Sequence, residues 1–178
     1  VSGCATCDGF FYRGKEICVI GGGDSAAEDA LFLSKFAAKV HLVHRRAALR
    51  ANFRLQEKLR ANPKITIIYD HVPEEFVGED KLTGVKLKNV KTGAAHILPV
   101  SGAFIAIGHT PATKLFAGKV NLDDSGYIVV DGKLATSVYG VFAAGDVMDT
   151  RYKQAVVAAS SGCKAAMEAL VYLEDTKK

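Results

Sequence analysis

Two cysteines near the start of the chain are separated by two residues, in the sequence Cys4-Ala-Thr-Cys7-Asp8. Cysteines at this spacing can close a disulfide across a short turn, and the neighbouring sulfur and backbone dipoles favour a thiolate on one of them. Such a pair exchanges with a partner's disulfide through a mixed disulfide, and Asp8 could exchange a proton with the leaving thiolate. The alternative is half of a zinc site, which usually needs a second such pair. Because Cys18 and Cys163 each stand alone, redox chemistry is favoured, and these two are expected to be inert core thiols.

A glycine-rich turn follows, with the sequence Gly21-Gly22-Gly23-Asp24-Ser25-Ala26. It fits the dinucleotide fingerprint G-x-G-x-x-A and has the required context, an apolar run before it and a helical pattern after it. In that fingerprint Gly21 allows the tight turn, Gly23 lets the backbone approach a pyrophosphate, and Ala26 permits close packing of the helix on the strand. The free N–H groups at the helix start hold phosphates, and the Ser25 hydroxyl can add one bond. Any tight strand-to-helix turn also favours glycine, so the motif alone leaves a purely structural explanation open.

The residues after the second predicted strand indicate which dinucleotide is bound. An NAD site places an acidic residue about 20 positions after the glycines, whereas this chain has His44-Arg45-Arg46 there, with Arg50 about one helical turn on. Such a cationic cluster suits an adenosine 2′-phosphate better than a bare 2′-hydroxyl. The alternative is a solvated basic helix start, which would oppose the helix dipole. The pattern therefore favours NADPH over NADH.

A further candidate lies towards the end of the chain, where an apolar run ends in Gly145-Asp146-Val147 before a long helical pattern. An aspartate at the carboxyl end of a buried strand could bind a ribose or ribityl hydroxyl. An ordinary turn or helix cap explains the same residues equally well. His41, His71 and His96 are scattered along the chain and are assigned no role.

Strands and helices alternate over the first part of the chain. Apolar runs predict strands, and amphipathic patterns predict helices between them, in the order strand 16–20, helix 24–36, strand 40–43, helix 47–60 and strand 65–69. This alternation indicates a parallel sheet with helical crossovers. An inserted antiparallel meander (72–99) and a very apolar strand (103–107) follow. The last part predicts strands and then a long helix, at 126–131, 138–144 and about 153–174.

Length and composition exclude several classes of protein. The chain has 178 residues, 49% hydrophobic and 24% charged, which is typical of a globular protein and excludes a disordered one. A net charge of +4 is low for a nucleic-acid-binding domain, and four cysteines are too few for a secreted disulfide scaffold. The longest stretch without a charged side chain, 92–113, is broken by prolines and glycines, so no membrane contact is expected. No signal peptide is expected from this sequence.

The motifs together resemble low-molecular-weight thioredoxin reductases, in the family's order and over essentially the whole chain, at 4–9, 21–26, 44–46, 106–113 and 143–147. The resemblance implies a cytoplasmic, homodimeric flavoenzyme in which electrons pass from NADPH to FAD, then to the Cys4–Cys7 disulfide, then to thioredoxin. It implies that Cys4 attacks thioredoxin, that Cys7 faces the flavin, and that Asp8 is the acid/base. It assigns no metal.

The same resemblance implies the residues that bind the cofactors. Along NADPH it places the glycine turn and its neighbours, Gly21, Gly22, Gly23, Asp24, Ser25, Ala26, His44, Arg45, Arg46, Arg50, Ile107, Gly108 and Tyr127. Along FAD it places the segment from Asp146 to Ala155 and the glycine before it, with Gly145, Asp146, Val147, Lys153, Gln154 and Ala155 as contacts. The family has arginine where this chain has Lys153, so a point charge replaces a planar fork at that contact.

The family binds the FAD pyrophosphate on a separate N-terminal glycine-rich unit that this sequence does not contain. We therefore expect the C-terminal portion of such an enzyme, namely a Rossmann-like three-layer NADPH domain over 1–111 and an incomplete FAD-type α/β segment over 112–178. That segment should expose an apolar patch, and the chain should retain FAD poorly and turn over little by itself. Two alternatives are an NADH-dependent flavoprotein disulfide reductase serving a peroxidase, against which the arginines argue, and a non-catalytic NADPH-binding or thioredoxin-docking module.

Overall fold

The structure of the chain is a computed structural model that describes residues 1–176. It contains two compact units, Val1–Gly108 and His109–Lys178. The division falls three residues before the predicted boundary between residues 111 and 112.

The first unit is built on a four-stranded parallel sheet. In chain order its elements are α1 (Ala5–Asp8), β1 (Glu16–Gly21), α2 (Asp24–Leu33), β2 (Lys39–Val43), α3 (Phe53–Ala61), β3 (Ile65–Ile68), β4 (His71–Val77), β5 (Gly84–Asn89), β6 (Ala95–Pro99) and β7 (Gly102–Ala106). The parallel sheet has the strand order β3-β2-β1-β7, so the predicted crossover fold is confirmed. The antiparallel sheet, β4-β5-β6, is inserted between β3 and β7 as predicted.

Apolar side chains cover both faces of the parallel sheet. On one face Ile17 and Val19 pack with α2 and α3 in the larger core. On the other face Cys18 packs with Val85 and Leu87 of the antiparallel sheet. Because successive strand residues point to opposite faces, a strand covered on both sides needs a continuous apolar run, which is what β1 has. The result is the expected three layers.

Helix α3 begins six residues later than the predicted start at residue 47. Asn52 caps the helix, because its side chain accepts a hydrogen bond from the N–H of Leu55 at 3.0 Å. The preceding residues form a loop whose backbone bonds to the glycine turn, and Leu49 and Ala51 of that loop are buried in the core. The helical prediction for 47–52 was therefore wrong, and Arg50 precedes the helix.

The second unit contains the long helix α4 (Ala155–Asp175) and short 3-10 turns at Lys114–Phe116 and Gly145–Val147. The predicted strands at 126–131 and 138–144 are wrong, since only single bridges form there, Leu122 with Ile128 and Ala135 with Phe142. Aspartates compete for the backbone donors. Asp123 accepts from the N–H groups of residues 125 and 127, and Asp131 accepts from those of 133 and 135.

The second unit leaves many large apolar side chains exposed, which confirms the expected apolar surface. On α4 alone they are Val156, Met167, Leu170, Val171 and Leu173, each at least half exposed. By length and composition α4 could also cross a membrane, with a mean hydropathy of 1.3 over its most apolar window. One such helix is weak evidence for a membrane span, because core helices of soluble proteins meet the same criterion.

The fold makes a prediction about two phenylalanines. Phe104 is 1% exposed and Phe53 is 69% exposed. Phe104→Ala should lower the free energy of unfolding by about 3–5 kcal/mol, because it removes buried contacts and leaves a cavity. Phe53→Ala, the same substitution at an exposed position, should change it by less than about 0.5 kcal/mol. Urea unfolding followed by circular dichroism measures both, and equal effects would contradict the assignment of the core.

Candidate functional site

Cys4 and Cys7 form a disulfide on α1, with their Cα atoms 5.3 Å apart. The N–H of Cys7 donates to the Sγ of Cys4 at 3.1 Å, and the N–H of Cys4 donates to the hydroxyl of Ser2 at 3.0 Å. Within residues 1–176, no group of three or more His, Cys, Asp or Glu side chains is placed to hold a metal ion. The two sulfurs are bonded to each other, as a dithiol/disulfide couple requires.

Close packing holds the disulfide segment against the core. Ala5 is buried, and a Cβ on Gly9 would come within 2.7 Å of Leu33 on α2. Tyr12 packs edge-on against Phe104 with ring centroids 5.3 Å apart. The couple is thus anchored to the same folded unit as the glycine turn.

Two exposed aromatic residues follow the disulfide in the chain. Cys7 is exposed, and the next aromatic residues along the chain, Phe10 and Phe11, are 62% and 72% exposed. Asp8 is half-buried, and its N–H donates to the carbonyl of Cys4 at 3.2 Å. Sequence reasoning missed the two phenylalanines, although two adjacent aromatic residues directly after a redox motif were a usable signal.

The two remaining cysteines differ from each other. Cys18 is fully buried in β1, and burial raises the pKa of its thiol to about 12, as expected of a core thiol. Cys163 is exposed on α4, so its assignment to a core was wrong. The sequence pattern predicted the helix but could not show which residues pack against it. In the described part of the second unit, the face of α4 with Cys163 is exposed.

A cavity of about 760 Å³ lies at the carboxyl ends of the parallel strands in the first unit. Ligands bind at this edge of open α/β sheets. Its walls are the glycine turn with Asp24 and Ser25, the end of β2, the start of β4, and the end of β7 with the residues after it. The lining residues include Gly21, Gly22, Gly23, Asp24, Ser25, His44, Arg45, Arg50, His71, Phe76, Ile107 and Gly108.

The three glycines of the turn have different reasons to be glycine. A Cβ on Gly21 would collide with the carbonyl of Ala106 and with Ala26, so this glycine lets β1, β7 and α2 converge. A Cβ on Gly22 would collide with the His44 ring. A Cβ on Gly23 would meet nothing within 4 Å, so the backbone there faces open space. Gly23 is also the N-cap of α2 and provides no side chain to cap it, which suits a bound phosphate.

His44 is a buried polar residue in the cavity wall. Its Nε2 has no hydrogen-bond partner among the described residues. Burial lowers the pKa of its imidazole, partly opposed by the backbone carbonyls of Ala48 and Gly21, and the nearby charges of Arg50 and Arg46 lower it further. The ring is therefore neutral at pH 7 and is a polar group that a ligand could engage.

Some predicted residues do not line the cavity. Ala26 is fully buried behind the glycine turn, where it packs against Gly21 and contributes to geometry. Arg46 is exposed and is not among the lining residues. Tyr127 and the proposed FAD contacts belong to the second unit.

In the second unit Lys153 holds the Gly145–Val147 turn. Its Nζ donates to the carbonyls of Asp146 and Asp149 and lies 4.2 Å from the centroid of the Tyr127 ring. The turn is also fixed by the N–H of Gly145, which donates to the Ser161 hydroxyl at 2.9 Å. Asp146 is exposed, and Gln154 and Ala155 form the start of α4. Lys153 therefore donates to backbone carbonyls of its own segment.

A family model described as pyridine nucleotide-disulphide oxidoreductase matches residues 1–162. The chain belongs to this family. It is 54% identical to a thioredoxin reductase of Rickettsia felis, over 97% of this chain and 57% of the relative. It is 53% identical to a thioredoxin reductase of Streptomyces coelicolor, over 97% of this chain and 54% of the relative.

Solved structures agree with these relatives. Thioredoxin reductase from Streptococcus pyogenes superposes with a TM-score of 0.90 at 41% identity, covering 97% of this chain and 56% of that one. Thioredoxin reductase from Giardia duodenalis gives 0.86 at 43% identity, covering 97% and 57%. The chain therefore spans about half the length of the relatives that it matches.

The two thiols should differ in reactivity. At pH 8, with the Cys4–Cys7 disulfide intact, iodoacetamide should alkylate Cys163 rapidly and Cys18 more than about a thousandfold more slowly. A pKa near 12 leaves little thiolate at Cys18 until the pH approaches that value. Intact-mass spectrometry should show one added group in the native chain and two in urea. Cys163→Ser should abolish the fast addition, and rapid labelling that persists would show that Cys18 is accessible.

Proposed function

We propose that the chain supplies the NADPH site and the redox-active dithiol of a thioredoxin-disulfide reductase. One observation carries the proposal: the same folded unit holds the exposed Cys4–Cys7 disulfide and a cavity built for a dinucleotide. A family of pyridine nucleotide-disulphide oxidoreductases needs these two parts. The full reaction belongs to the complete enzyme, and this chain by itself should retain FAD poorly and turn over little.

The nucleotide is NADPH in this proposal. The turn at Gly23 and the uncapped start of α2 suit the pyrophosphate, and Arg45 and Arg50 in the cavity wall suit the 2′-phosphate. His44 adds a buried nitrogen without a partner in the described chain. The other predicted contacts, Arg46 and Tyr127, stay predictions.

The dithiol carries two electrons to the partner. In the reduced state the N–H of Cys7 would favour a thiolate at Cys4. That thiolate attacks one sulfur of the partner's disulfide, forming a mixed disulfide and releasing the other sulfur as a thiolate. The Cys7 thiolate then attacks the Cys4 sulfur, which restores the Cys4–Cys7 disulfide and releases the second partner thiolate. Asp8, next to Cys7, is proposed to move the protons that the partner's thiols acquire.

FAD is proposed to connect the two halves of the reaction. When bound, it supplies a two-electron carrier between NADPH and the disulfide. The Gly145–Val147 turn, its exposed Asp146 and the residues Lys153, Gln154 and Ala155 would hold it. These residues fit one part of the cofactor, since an exposed carboxylate on a rigid turn can accept hydrogen bonds from ribityl hydroxyls. Homodimer formation and a cytoplasmic location stay predictions.

Thioredoxin is the proposed partner, and the exposed Phe10 and Phe11 are the proposed contact surface. Aromatic side chains dominate many protein interfaces, and these two follow the disulfide directly in the chain. A non-catalytic docking module would present the same surface but would not need a cysteine pair that opens and closes. The NADH-dependent alternative is disfavoured by Arg45 and Arg50 in the cavity wall.

Nucleotide preference tests the cofactor. Calorimetric titration should show NADP⁺ binding more tightly than NAD⁺. The double variant Arg45→Ala/Arg50→Ala should lower the affinity for NADP⁺ by about tenfold or more, because charge-assisted bonds to the 2′-phosphate are lost, and leave NAD⁺ nearly unchanged. Arg60→Ala, which removes the same charge from the end of α3, is the control. Tighter binding of NAD⁺ by the unaltered chain would favour the NADH-dependent reductase.

Thiol exchange tests the partner without any flavin. Reduced thioredoxin mixed with the oxidised chain should become partly oxidised while Cys4–Cys7 opens, because the two couples exchange directly. Phe11→Ala should slow this exchange by about five- to tenfold through weaker docking. Phe53→Ala, which truncates a similarly exposed phenylalanine far along the sequence, should leave the rate unchanged. No exchange by the unaltered chain would exclude thioredoxin as the partner.

A further inference from the structure

Four hydrogen bonds join the glycine turn to the loop that carries the arginines. The carbonyl of Gly22 accepts from the N–H of Arg50 at 2.7 Å and from the N–H of Ala51 at 3.1 Å. The carboxylate of Asp24 accepts from the N–H of Asn52 at 2.7 Å and from its side-chain amide at 3.2 Å. The two segments are separated by about one helix and one strand in sequence, yet they are connected directly at the edge of the cavity.

Asn52 is used at both ends of its side chain. Its Oδ1 accepts from the N–H of Leu55 and so caps α3, while its Nδ2 donates to Asp24. A side chain with both an acceptor and a donor is needed to do this, which an ionised aspartate cap would not provide. The end of the loop is therefore fixed simultaneously to α3 and to the first residue of α2.

We propose that Asp24 is a positioning residue that selects for NADPH: through Asn52 it holds the loop with Arg45 and Arg50 against the glycine turn. The inference rests on the proposed NADPH site and adds a role for residues that do not themselves have to contact the nucleotide. The 2′-phosphate and the pyrophosphate lie on one adenosine, so their separation is fixed by covalent bonds. A cavity that binds both groups well must keep its arginines and its phosphate-binding N–H groups at a matching separation, and the bonds of Asp24 and Gly22 set that separation.

The negative charge of Asp24 makes the positioning role testable, because charge and positioning predict opposite changes in the affinity for NADP⁺. Asp24 lines the cavity and carries a negative charge where a polyanion is proposed to bind. If the charge alone mattered, removing it would relieve repulsion and tighten NADP⁺ binding. If Asp24 acts by positioning, losing its two hydrogen bonds loosens the arginine loop and weakens NADP⁺ binding. The two explanations predict opposite changes from one substitution.

The experiment compares three variants by calorimetric titration with NADP⁺ and NAD⁺. Asp24→Ala should weaken NADP⁺ binding by about three- to tenfold, with a smaller change for NAD⁺. Asp24→Asn keeps an Oδ1 that can accept from Asn52. Its affinity for NADP⁺ should not fall more than about twofold below that of the unaltered chain. Glu28→Ala removes an exposed acid one turn further along α2 and should have no effect. Unchanged or tighter NADP⁺ binding by Asp24→Ala, or an equal loss for both nucleotides, would overturn the proposal.

A second measurement needs no nucleotide. Hydrogen exchange at the N–H groups of Arg50, Ala51 and Asn52 should become about three- to tenfold faster in Asp24→Ala and should stay unchanged in Glu28→Ala. If the unaltered chain bound neither nucleotide, the proposed NADPH site would be wrong. Faster hydrogen exchange in Asp24→Ala would still show that Asp24 holds the loop. If hydrogen exchange at these N–H groups were as slow in Asp24→Ala as in the unaltered chain, the positioning role would be overturned.

Discussion

The first unit depends on how closely the backbone ends of β1, β2 and β7 approach one another. At Gly21 the missing Cβ leaves room for the Ala106 carbonyl on one side and for Ala26 on the other. At Gly22 it leaves room for the His44 ring. Any larger side chain would push apart the strand ends and the start of α2, so the cavity exists because two adjacent residues have no side chain. The third glycine is under no such steric demand, and its freedom leaves space for a ligand.

Much of this unit could be predicted from sequence because local patterns and tertiary packing agree there. The continuous apolar run of β1 marks a strand covered on both faces, and both covers are present within the same unit. The start of α3 was missed because residues 47–52 are helical in composition, while the hydrogen bonds of Gly22 and Asp24 hold that segment as a loop. Those bonds join residues far apart in sequence, so no local pattern contains them.

The second unit was predicted less well for a related reason. A strand is stable only with a neighbour to pair with, and apolar periodicity does not say whether the neighbour is present. In residues 109–176 the side chains of Asp123 and Asp131 take the backbone donors that strands would otherwise use. The helix α4 was predicted correctly. The predicted burial of Cys163 was wrong, because no described residue of the second unit packs over this side chain.

The exposed thiol of Cys163 has a practical consequence for measuring oligomeric state. Two chains can become linked through this sulfur by air oxidation, and such a species would migrate as a dimer on a non-reducing gel without any native interface. Adding enough reductant to prevent the link would also open Cys4–Cys7, the bond whose state matters most. Association is therefore best measured on Cys163→Ser without reductant, where covalent artefact and true subunit contact are separated.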